Sequence, residues 1–310
     1  MCSSRSPIPV TYVVGSSHSG STLLALLLDQ HPQVACVGET AVKRRIRQAG
    51  HAANQLCSCG KSLATCDFWQ GIFHDVSSTG VRFDADYWST EYRFDADWLD
   101  ALLTRETSTF TLRKLRQWAT HHLPVLAQRT ARVDRANVAF VRAVLTRTGA
   151  HVLCDTTKLL TRLTYLLEIP ELRINVVRLV RDARGVAASA KRRGGSVLDA
   201  TSIWLNDQTA IDRVLTDRPT LDRCLVRYED LCDQTSATLD RLWRFCGVEP
   251  IASSSVVTPR THHVLGNNMR MGDTVQVRVD DGWRTTLSAE EEQAVWRVAG
   301  AMSEQLGYVR

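Results

Sequence analysis

The distribution of apolar residues predicts a strand, a turn and a helix in succession near the start of the chain. Residues 10–14 form a run rich in β-branched side chains, which is typical of a buried strand, and the small residues 15–20 follow as a turn. Ser21 then caps a predicted helix whose apolar side is formed by Leu23, Leu24, Leu27 and Leu28. Unpaired N–H groups at the start of such a helix, together with its dipole, favour an anion in the turn.

Similar patterns continue along the chain. Further apolar strands are predicted at residues 34–37, 151–154, 175–180 and 224–228. Amphipathic helices are predicted at 196–214, at 235–245 with a stop at Gly247, and at 288–306 with Ser288 and Glu291 as a capping box. Polar residues follow several of the strands, and at the carboxyl ends of parallel strands such residues lie where ligands bind.

The first turn partly matches the nucleotide-binding pattern G-x-x-x-x-G-K-[ST]. Gly15, Gly20 and Thr22 fit, but Ser21 occupies the position of the lysine that neutralises the β- and γ-phosphates of a triphosphate. This absence weakens an interpretation as an ATP or GTP enzyme. A second stretch, NVVRLVRDARGVAAS at 175–189, places Arg181 and Ser189 where both can meet a single phosphate.

These two stretches, GSSHSGSTLL and LVRDARGVAAS, resemble the 5′-phosphosulfate loop and the 3′-phosphate motif of sulfotransferases that use 3′-phosphoadenosine 5′-phosphosulfate (PAPS). LLLDQHPQVACVGET, VRYEDL and WRTTLS…MSEQLGY are similar to the Golgi carbohydrate and tyrosylprotein sulfotransferases and their bacterial relatives. The resemblance implies an α/β, three-layer P-loop-type fold, with a central parallel sheet flanked by helices, in a single domain over 1–310. Residues 67–149 lack it, and we expect them to be a mainly helical insertion on the acceptor side.

The resemblance also implies a set of cofactor contacts. His18 stands where relatives commonly carry arginine or lysine, and it is expected to help hold the phosphosulfate. Arg181 and Ser189 are expected to bind the 3′-phosphate, and Arg270 is a candidate from a late loop that closes over the nucleotide, together with His263 and Asn267. Arg192 and Arg193, in the basic turn after Ser189, could touch the 3′-phosphate but are expected to face water. The predicted PAPS contacts are Ser16, Ser17, His18, Ser19, Gly20, Ser21, Thr22, Arg181, Ser189 and Arg270.

Three side chains are predicted to act in catalysis. Glu39 follows an HP-x-V stretch like the one that precedes the proposed catalytic glutamate of relatives, and a carboxylate there can accept the proton of an acceptor hydroxyl. Lys158 ends a D-T-T-K stretch similar to D-S-S-K in bacterial relatives, and it can stabilise charge on the leaving phosphate. His18 assists it. Asp155 is the alternative base.

The predicted activity is therefore sulfuryl transfer from PAPS to a glycan or small-metabolite hydroxyl, with no metal required. Two other classes fit parts of the pattern. A small-molecule or nucleotide kinase would need magnesium, so a chelator would separate it from the first prediction. A non-catalytic protein that binds phosphoadenosine nucleotides would keep Arg181 and Ser189 but tolerate loss of Glu39 and Lys158.

Composition and charge bear on two further questions, whether the protein binds nucleic acid and whether it spans a membrane. The formal net charge is +5 and no long Lys/Arg run occurs, which suits an anionic cofactor and excludes an obvious nucleic-acid surface. No apolar stretch reaches the length of a membrane span or signal peptide, so a cytoplasmic location without a membrane span is expected. The sequence gives no expectation of oligomeric state.

The cysteines and a near-repeat stay unassigned. Nine cysteines, an odd number, indicate reduced thiols. Cys57, Cys59 and Cys66 could bind zinc if His51 or His74 supplied a fourth ligand, but the usual paired C-x2-C spacing is missing, which favours structural thiols. RFDADYW at 82–88 and RFDADWL at 93–99 read most simply as helix caps and core aromatics, although flat rings would also suit an acceptor platform.

Overall fold

The computed structural model describes residues 6–41, 55–81, 83, 89–94, 97–104, 110–258, 260 and 262–310. His51 and most of the RFDAD near-repeat lie outside these residues. The main sheet consists of β1 (Ile8–Val14), β2 (Val34–Ala35), β3 (Val152–Lys158), β4 (Leu172–Val180) and β5 (Arg223–Arg227). Its strands are all parallel, in the order β2-β3-β1-β4-β5. A separate antiparallel pair joins β6 (Val256–Val257) to β7 (Val275–Gln276).

Helices surround this sheet. In chain order they are α1 (Ser21–Leu28), α2 (Asp67–Ser78), α3 (Asp97–Thr104), α4 (Phe110–His122), α5 (Pro124–Thr148), α6 (Leu160–Leu166), α7 (Ala183–Lys191), α8 (Val197–Thr216), α9 (Tyr228–Asp233), α10 (Thr235–Cys246), α11 (Trp283–Thr286) and α12 (Ala289–Gln305), with a 3-10 turn at Asn268–Met271. Two predicted helix ends are confirmed: Ser288 and Glu291 form the capping box of α12, and Gly247 ends α10 with a φ of 85°.

The register of the sheet fixes where its polar residues lie. β1 pairs with β4 along its whole length, from Ile8 opposite Leu172 to Val14 opposite Arg178. Its pairing with β3 shifts between Tyr12 and Val14, so that Val14 lies opposite Lys158. The end of β1 and the end of β3 therefore reach the carboxyl edge of the sheet together, directly before the first turn.

Alternation along the central strand divides the core into two layers. Tyr12 and Val14 pack with the side chains of α5 and α6 on one face, whereas Val13 packs with α1 and α10 on the other. A third cluster, around Trp204, joins α7 and α8 to α12. These layers confirm the predicted α/β fold with a central parallel sheet flanked by helices.

Residues 67–149 contribute α2 to α5 beside the first of these layers. Trp69 of α2 stacks on Phe140 of α5, with 6.2 Å between ring centroids, and Arg147 pairs with Asp75 at 2.6 Å. Trp69 and Phe140 belong to the same buried cluster as Tyr12 and Val14 of β1, so this part of the chain shares its core with the sheet. Among the described residues, no helix is both apolar and long enough to cross a membrane.

Candidate functional site

The turn between β1 and α1 admits only glycine at two positions. A Cβ on Gly20, which has a φ of 92°, would lie 2.5 Å from the Tyr228 ring. A Cβ on Gly15 would collide with the carbonyl oxygen of Leu179. Because the turn is pressed against β4 and α9 at these glycines, its backbone N–H groups are held at the open edge of the sheet.

Two hydroxyl groups, one in the turn and one at the start of α1, accept hydrogen bonds from distant parts of the chain. The Ser16 hydroxyl accepts a hydrogen bond from Gln208 Nε2 at 3.2 Å. Thr22 Oγ1 accepts one from the backbone N–H of Asn267 at 3.0 Å, which joins the late segment of the chain to α1. Ser19 Oγ is buried with no hydrogen-bond partner in the described part of the chain. Of the residues predicted to contact the cofactor, Ser16 and Ser19 thus face the interior, and neither lines the large cavity beside this turn.

A cavity of about 760 Å³, here called the cationic cavity, opens beside this turn. It contains four arginines and Lys158 together with only two carboxylates. It is lined by Ser17, His18, Gly20, Ser21, Thr22, Leu23, Glu39, Lys158, Arg181, Ser189, Arg192, Arg193, Tyr228, Gly266, Asn267, Met269, Gln276, Arg278 and Asp280. The structure therefore brings His18, Glu39, Lys158, Arg181 and Ser189 to a single cavity.

Arg181 lies at the floor of the cationic cavity in a fixed orientation. Its Nη1 donates to the His18 carbonyl at 3.2 Å, and its Nη2 donates to Asp280 Oδ2 at 2.9 Å. Its guanidinium stacks 4.5 Å above the Tyr228 ring, while Nε is buried with no partner among the described residues. Burial opposes ionisation of Asp280, but the hydrogen bond and charge of Arg181 hold the pKa of that carboxyl below its usual value.

The structure places two predicted groups of basic residues differently from the expectation. Arg270 does not line the cationic cavity: its guanidinium is buried and Nη1 donates to the His263 carbonyl at 3.5 Å. The turn after α7 was expected to face water, yet Arg192 and Arg193 line the cavity and Arg192 pairs with Asp280 at 2.6 Å. The shared Asp280 partner explains this, because it draws both Arg181 and Arg192 toward one point.

Lys158 and Glu39 form an ion pair of 2.6 Å at the mouth of the turn. Lys158 Nζ also donates to Ser21 Oγ at 2.8 Å. The prediction that Ser21 caps α1 is therefore wrong: Gly20 is the N-cap residue, no side chain caps it, and the Ser21 hydroxyl serves Lys158 instead.

The backbone is unusual around this site. In the described part of the chain, three residues other than glycine have a positive φ: His18 at 66°, Lys158 at 68° and Leu265 at 57°. Two of them line the cationic cavity, and the third precedes Gly266, which also lines it. Among described residues that carry a side chain, the left-handed conformation is thus confined to the surroundings of this cavity.

Asp155, the alternative base, is buried in a network away from the cavity. It pairs with Arg162 at 3.3 Å and accepts from the Thr40 hydroxyl at 2.7 Å. Arg162 in turn donates to the Thr90 carbonyl at 2.6 Å and to Asn137 at 2.7 Å. Asp155 itself lines neither this cavity nor the neighbouring one described next, which Arg162 does line. Of the two candidate bases, Glu39 is the one that lines the cationic cavity.

A second cavity of about 340 Å³, here called the neutral cavity, meets the first at Ser17 and Lys158. Its charged residues are balanced, with Lys158 and Arg162 against Glu91 and Asp207. It is lined by Gly15, Ser17, Ala41, Glu91, Tyr92, Thr104, Thr157, Lys158, Leu159, Leu160, Thr161, Arg162, Tyr165, Asp207 and Ile211. The Tyr92 and Tyr165 rings stack at 4.2 Å, and the Tyr92 hydroxyl donates to Asp134 at 2.6 Å.

Sequence reasoning missed several residues of the site. Tyr228 lies within VRYEDL, from which no site residue was predicted, although its ring covers both Gly20 and Arg181. Arg278 and Asp280 lie in a late segment without periodicity, and no local pattern marks them.

Comparisons with known proteins agree with this architecture. A model of the family described as "Sulfotransferase family" matches residues 9–252. The sulfotransferase domain of the Synechococcus PCC 7002 olefin synthase is 18% identical, with 97% of this chain and 96% of that domain covered and a TM-score of 0.50. The sulfotransferase domain of the curacin biosynthetic pathway is 17% identical, with 97% and 99% covered and a TM-score of 0.56. These likenesses show the fold. No curated protein matches the sequence.

Proposed function

Since this chain belongs to the sulfotransferase family, we propose that it transfers a sulfuryl group from PAPS to an acceptor hydroxyl. The observation that carries the proposal is the meeting of the cationic and neutral cavities at Lys158, beside Glu39. One cavity suits a nucleotide with several negative charges, and the other suits an uncharged acceptor. A base and a cation stand at the junction, where the reacting atoms would meet.

The cationic cavity provides separate contacts for the two ends of the donor. The N–H groups of residues 16–22, with His18, would hold the 5′-phosphosulfate, because the turn opens at a helix N-terminus. Arg181 and Ser189 would hold the 3′-phosphate. Arg181 lines this cavity, and its buried Nε has no partner among the described residues, which supports an anionic occupant.

The proposed reaction uses Glu39 and Lys158 together. Glu39 accepts the proton of the acceptor hydroxyl as its oxygen forms a bond to sulfur, and the bond between sulfur and the phosphate oxygen breaks on the opposite side. Lys158 and His18 stabilise the charge that develops on that phosphate oxygen. The products are a sulfate ester and 3′-phosphoadenosine 5′-phosphate (PAP), and the proton remains on Glu39 until solvent removes it.

The neutral cavity supports an acceptor of modest size without a net charge, such as a glycan or small-metabolite hydroxyl. Glu91, Tyr92 and Thr104 line it and come from residues 67–149. This supports the proposal that the inserted helices select the acceptor. The kinase alternative lacks comparable support, because Ser21 replaces the phosphate-binding lysine and the Thr22 hydroxyl already accepts from Asn267.

The donor is tested by calorimetric titration with PAP, ADP and ATP, first with EDTA present and then with magnesium added. We expect PAP to bind more tightly than ADP, since only PAP carries the 3′-phosphate. Arg181→Ala should weaken PAP binding about 10- to 100-fold, the loss of a charge-assisted contact, and leave ADP binding unchanged. Arg173→Ala, at an exposed arginine of β4, is the matched control. Equal affinities for PAP and ADP, or binding of ATP only with magnesium, would overturn the proposal.

Glu39→Gln separates an enzyme from a non-catalytic binding protein. It removes the base while keeping the size of the side chain, so PAP affinity should stay within a few-fold and transfer should fall about 100-fold or more. The readout is release of PAP from PAPS during a screen of hydroxyl acceptors. Unchanged transfer in Glu39→Gln would show that another group removes the proton.

A further inference from the structure

A compact group of three cysteines and one histidine lies outside both cavities. Cys57, Cys59, Cys66 and His262 each direct one ligand atom toward a common point, and these four atoms lie within 4.8 Å of one another. Cys59 Sγ is 3.7 Å from Cys66 Sγ. His262 Nδ1 is 3.2 Å from Cys57 Sγ and 3.4 Å from Cys66 Sγ.

These separations match a tetrahedral zinc site. With Zn–S bonds of about 2.3 Å and Zn–N bonds of about 2.0–2.1 Å, tetrahedral ligands lie about 3.5–3.8 Å apart. The three distances given above, 3.2, 3.4 and 3.7 Å, fall within a few tenths of an ångström of that range, and all four atoms lie within 4.8 Å of one another. A disulfide instead needs its sulfurs about 2.0 Å apart. Three sulfurs and an imidazole nitrogen form one of the donor sets typical of structural zinc.

The fourth ligand comes from a distant part of the chain. The sequence suggested His51 or His74; His74 is not part of the group and His51 lies outside the described residues. His262 is 205 positions from Cys57. Its ring stacks on Phe68 at 4.5 Å, and its carbonyl accepts from Trp69 Nε1 at 3.1 Å, so the ring is fixed in the orientation that faces the thiols.

We propose that Cys57, Cys59, Cys66 and His262 bind one structural Zn²⁺ ion. All four positions are filled by side chains, which leaves none for substrate and distinguishes this site from a catalytic one. Three thiolates and a neutral imidazole around Zn²⁺ carry a net negative charge. Lys61 and Arg270 interact electrostatically with these thiols and offset that charge, which gives Arg270 a place in the structure other than the nucleotide site.

The ion would fasten the late segment of the chain to the edge of the sheet. Next to His262, His263 and Ser58 exchange backbone and side-chain hydrogen bonds of 2.9 and 3.0 Å. The Val264 carbonyl then accepts from the Glu39 N–H at 3.2 Å, and Val264 N–H donates to the Val37 carbonyl at 2.9 Å. A metal at the cluster therefore holds the backbone beside Glu39 without taking part in its chemistry.

The test is elemental analysis of the full-length protein purified without chelator, by inductively coupled plasma mass spectrometry. We expect about one zinc per chain. Replacement by Co²⁺ should give the intense visible absorption of tetrahedral thiolate ligation. Less than a tenth of an equivalent of zinc, iron in its place, or an intact mass two hydrogens lower from a Cys59–Cys66 disulfide would each overturn the proposal.

Variants assign the ligands. Cys59→Ser changes the most exposed of the three thiols and should reduce zinc content or affinity at least tenfold, whereas Cys224→Ser, outside the cluster, should retain full zinc. His262→Cys should keep one metal per chain and strengthen the thiolate absorption of the Co²⁺ form, because a fourth sulfur replaces nitrogen. Zinc content unaffected by Cys59→Ser would refute the ligand set. None of these results depends on sulfuryl transfer, so the two proposals fail separately.

Discussion

The cationic and neutral cavities share Ser17 and Lys158 but are built in different ways. The cationic cavity is formed by the turn after β1, by α7 and by the late segment, and four arginines line it. The neutral cavity is formed by the residues after β3 and by part of residues 67–149, with stacked tyrosines and balanced charges. The two cavities therefore draw on different parts of the chain: the cationic one on the carboxyl edge of the sheet and the late segment, and the neutral one partly on Glu91, Tyr92 and Thr104 from residues 67–149.

We expect the largest loss of activity from a substitution where the two cavities meet. Lys158→Ala removes the cation that both cavities share, and we expect kcat for transfer to fall about 100- to 1000-fold, as for loss of a charge-stabilising donor. PAP affinity should change less, because Arg181 remains. Lys114→Ala, at an exposed lysine, is the control. A normal kcat in Lys158→Ala would show that the reaction does not depend on the residue at which the two cavities meet.

The next largest expected effect is on stability, from a substitution in the backbone turn that lines the cationic cavity. Gly20→Ala should lower the free energy of unfolding by about 3 kcal/mol or more, because a left-handed conformation and a collision with Tyr228 combine. Gly247→Ala is a matched control, since its φ is 85° and no atom lies within 4 Å of the added carbon. It should cost only about 1–2 kcal/mol. Equal costs in urea denaturation would show that the Tyr228 contact is unimportant.

The neutral cavity can be filled selectively. Thr104→Trp adds a large ring at its wall and should raise KM for the acceptor about tenfold or more while PAP affinity stays constant, because Thr104 does not line the cationic cavity. Steady-state kinetics with each substrate varied provides the measurement. Weaker PAP binding with unchanged acceptor KM would reverse the assignment of the two cavities.

The smallest expected effect is on stability, and it concerns Asp134, which accepts the hydrogen bond of the Tyr92 hydroxyl. Burial raises the pKa of Asp134 to about 6, although the hydrogen bond from Tyr92 opposes this. Because the folded-state pKa lies above its ordinary value, the folded protein binds this proton more tightly than the unfolded chain. The stabilising contribution is complete below the ordinary pKa of 3.8 and is lost as pH rises through 6.

Asp134→Asn tests this support of the neutral cavity. Between pH 4 and pH 7.5 the wild type should lose about 1 kcal/mol more free energy of unfolding than Asp134→Asn, after allowance for solvent exposure. Chemical denaturation at several pH values measures the difference. Parallel profiles for the two proteins would show that Asp134 titrates normally.

What the sequence predicted correctly is local in the chain. The strand, turn and helix from Ile8 to Leu28 are contiguous, and glycine spacing marks the turn, so both could be recognised without a structure. Arg181 and Ser189 lie on one strand-helix unit. Prediction from the sequence failed where the interacting residues are far apart in the chain. Ser21 was predicted to cap α1, but its hydroxyl accepts a hydrogen bond from Lys158, which is 137 positions away.

The same limit explains the residues that were missed. Tyr228 contacts Gly20 across more than two hundred positions, and Asp280 contacts Arg181 across 99 positions. His262 reaches Cys57 across 205 positions. Tertiary packing creates such contacts, and neither hydrophobic periodicity nor motif spacing carries information about them.

The positive φ angles at His18 and Lys158 bear on how this protein can be improved. Glycine would adopt either conformation without the roughly 1–2 kcal/mol that a side chain costs there, so a selection for thermal stability alone would favour glycine at both positions. Both side chains line the cationic cavity. We therefore expect that engineering guided by stability alone would lower the rate of sulfuryl transfer first through substitutions at these two positions. Stabilising substitutions should instead be sought on the exposed faces of the helices.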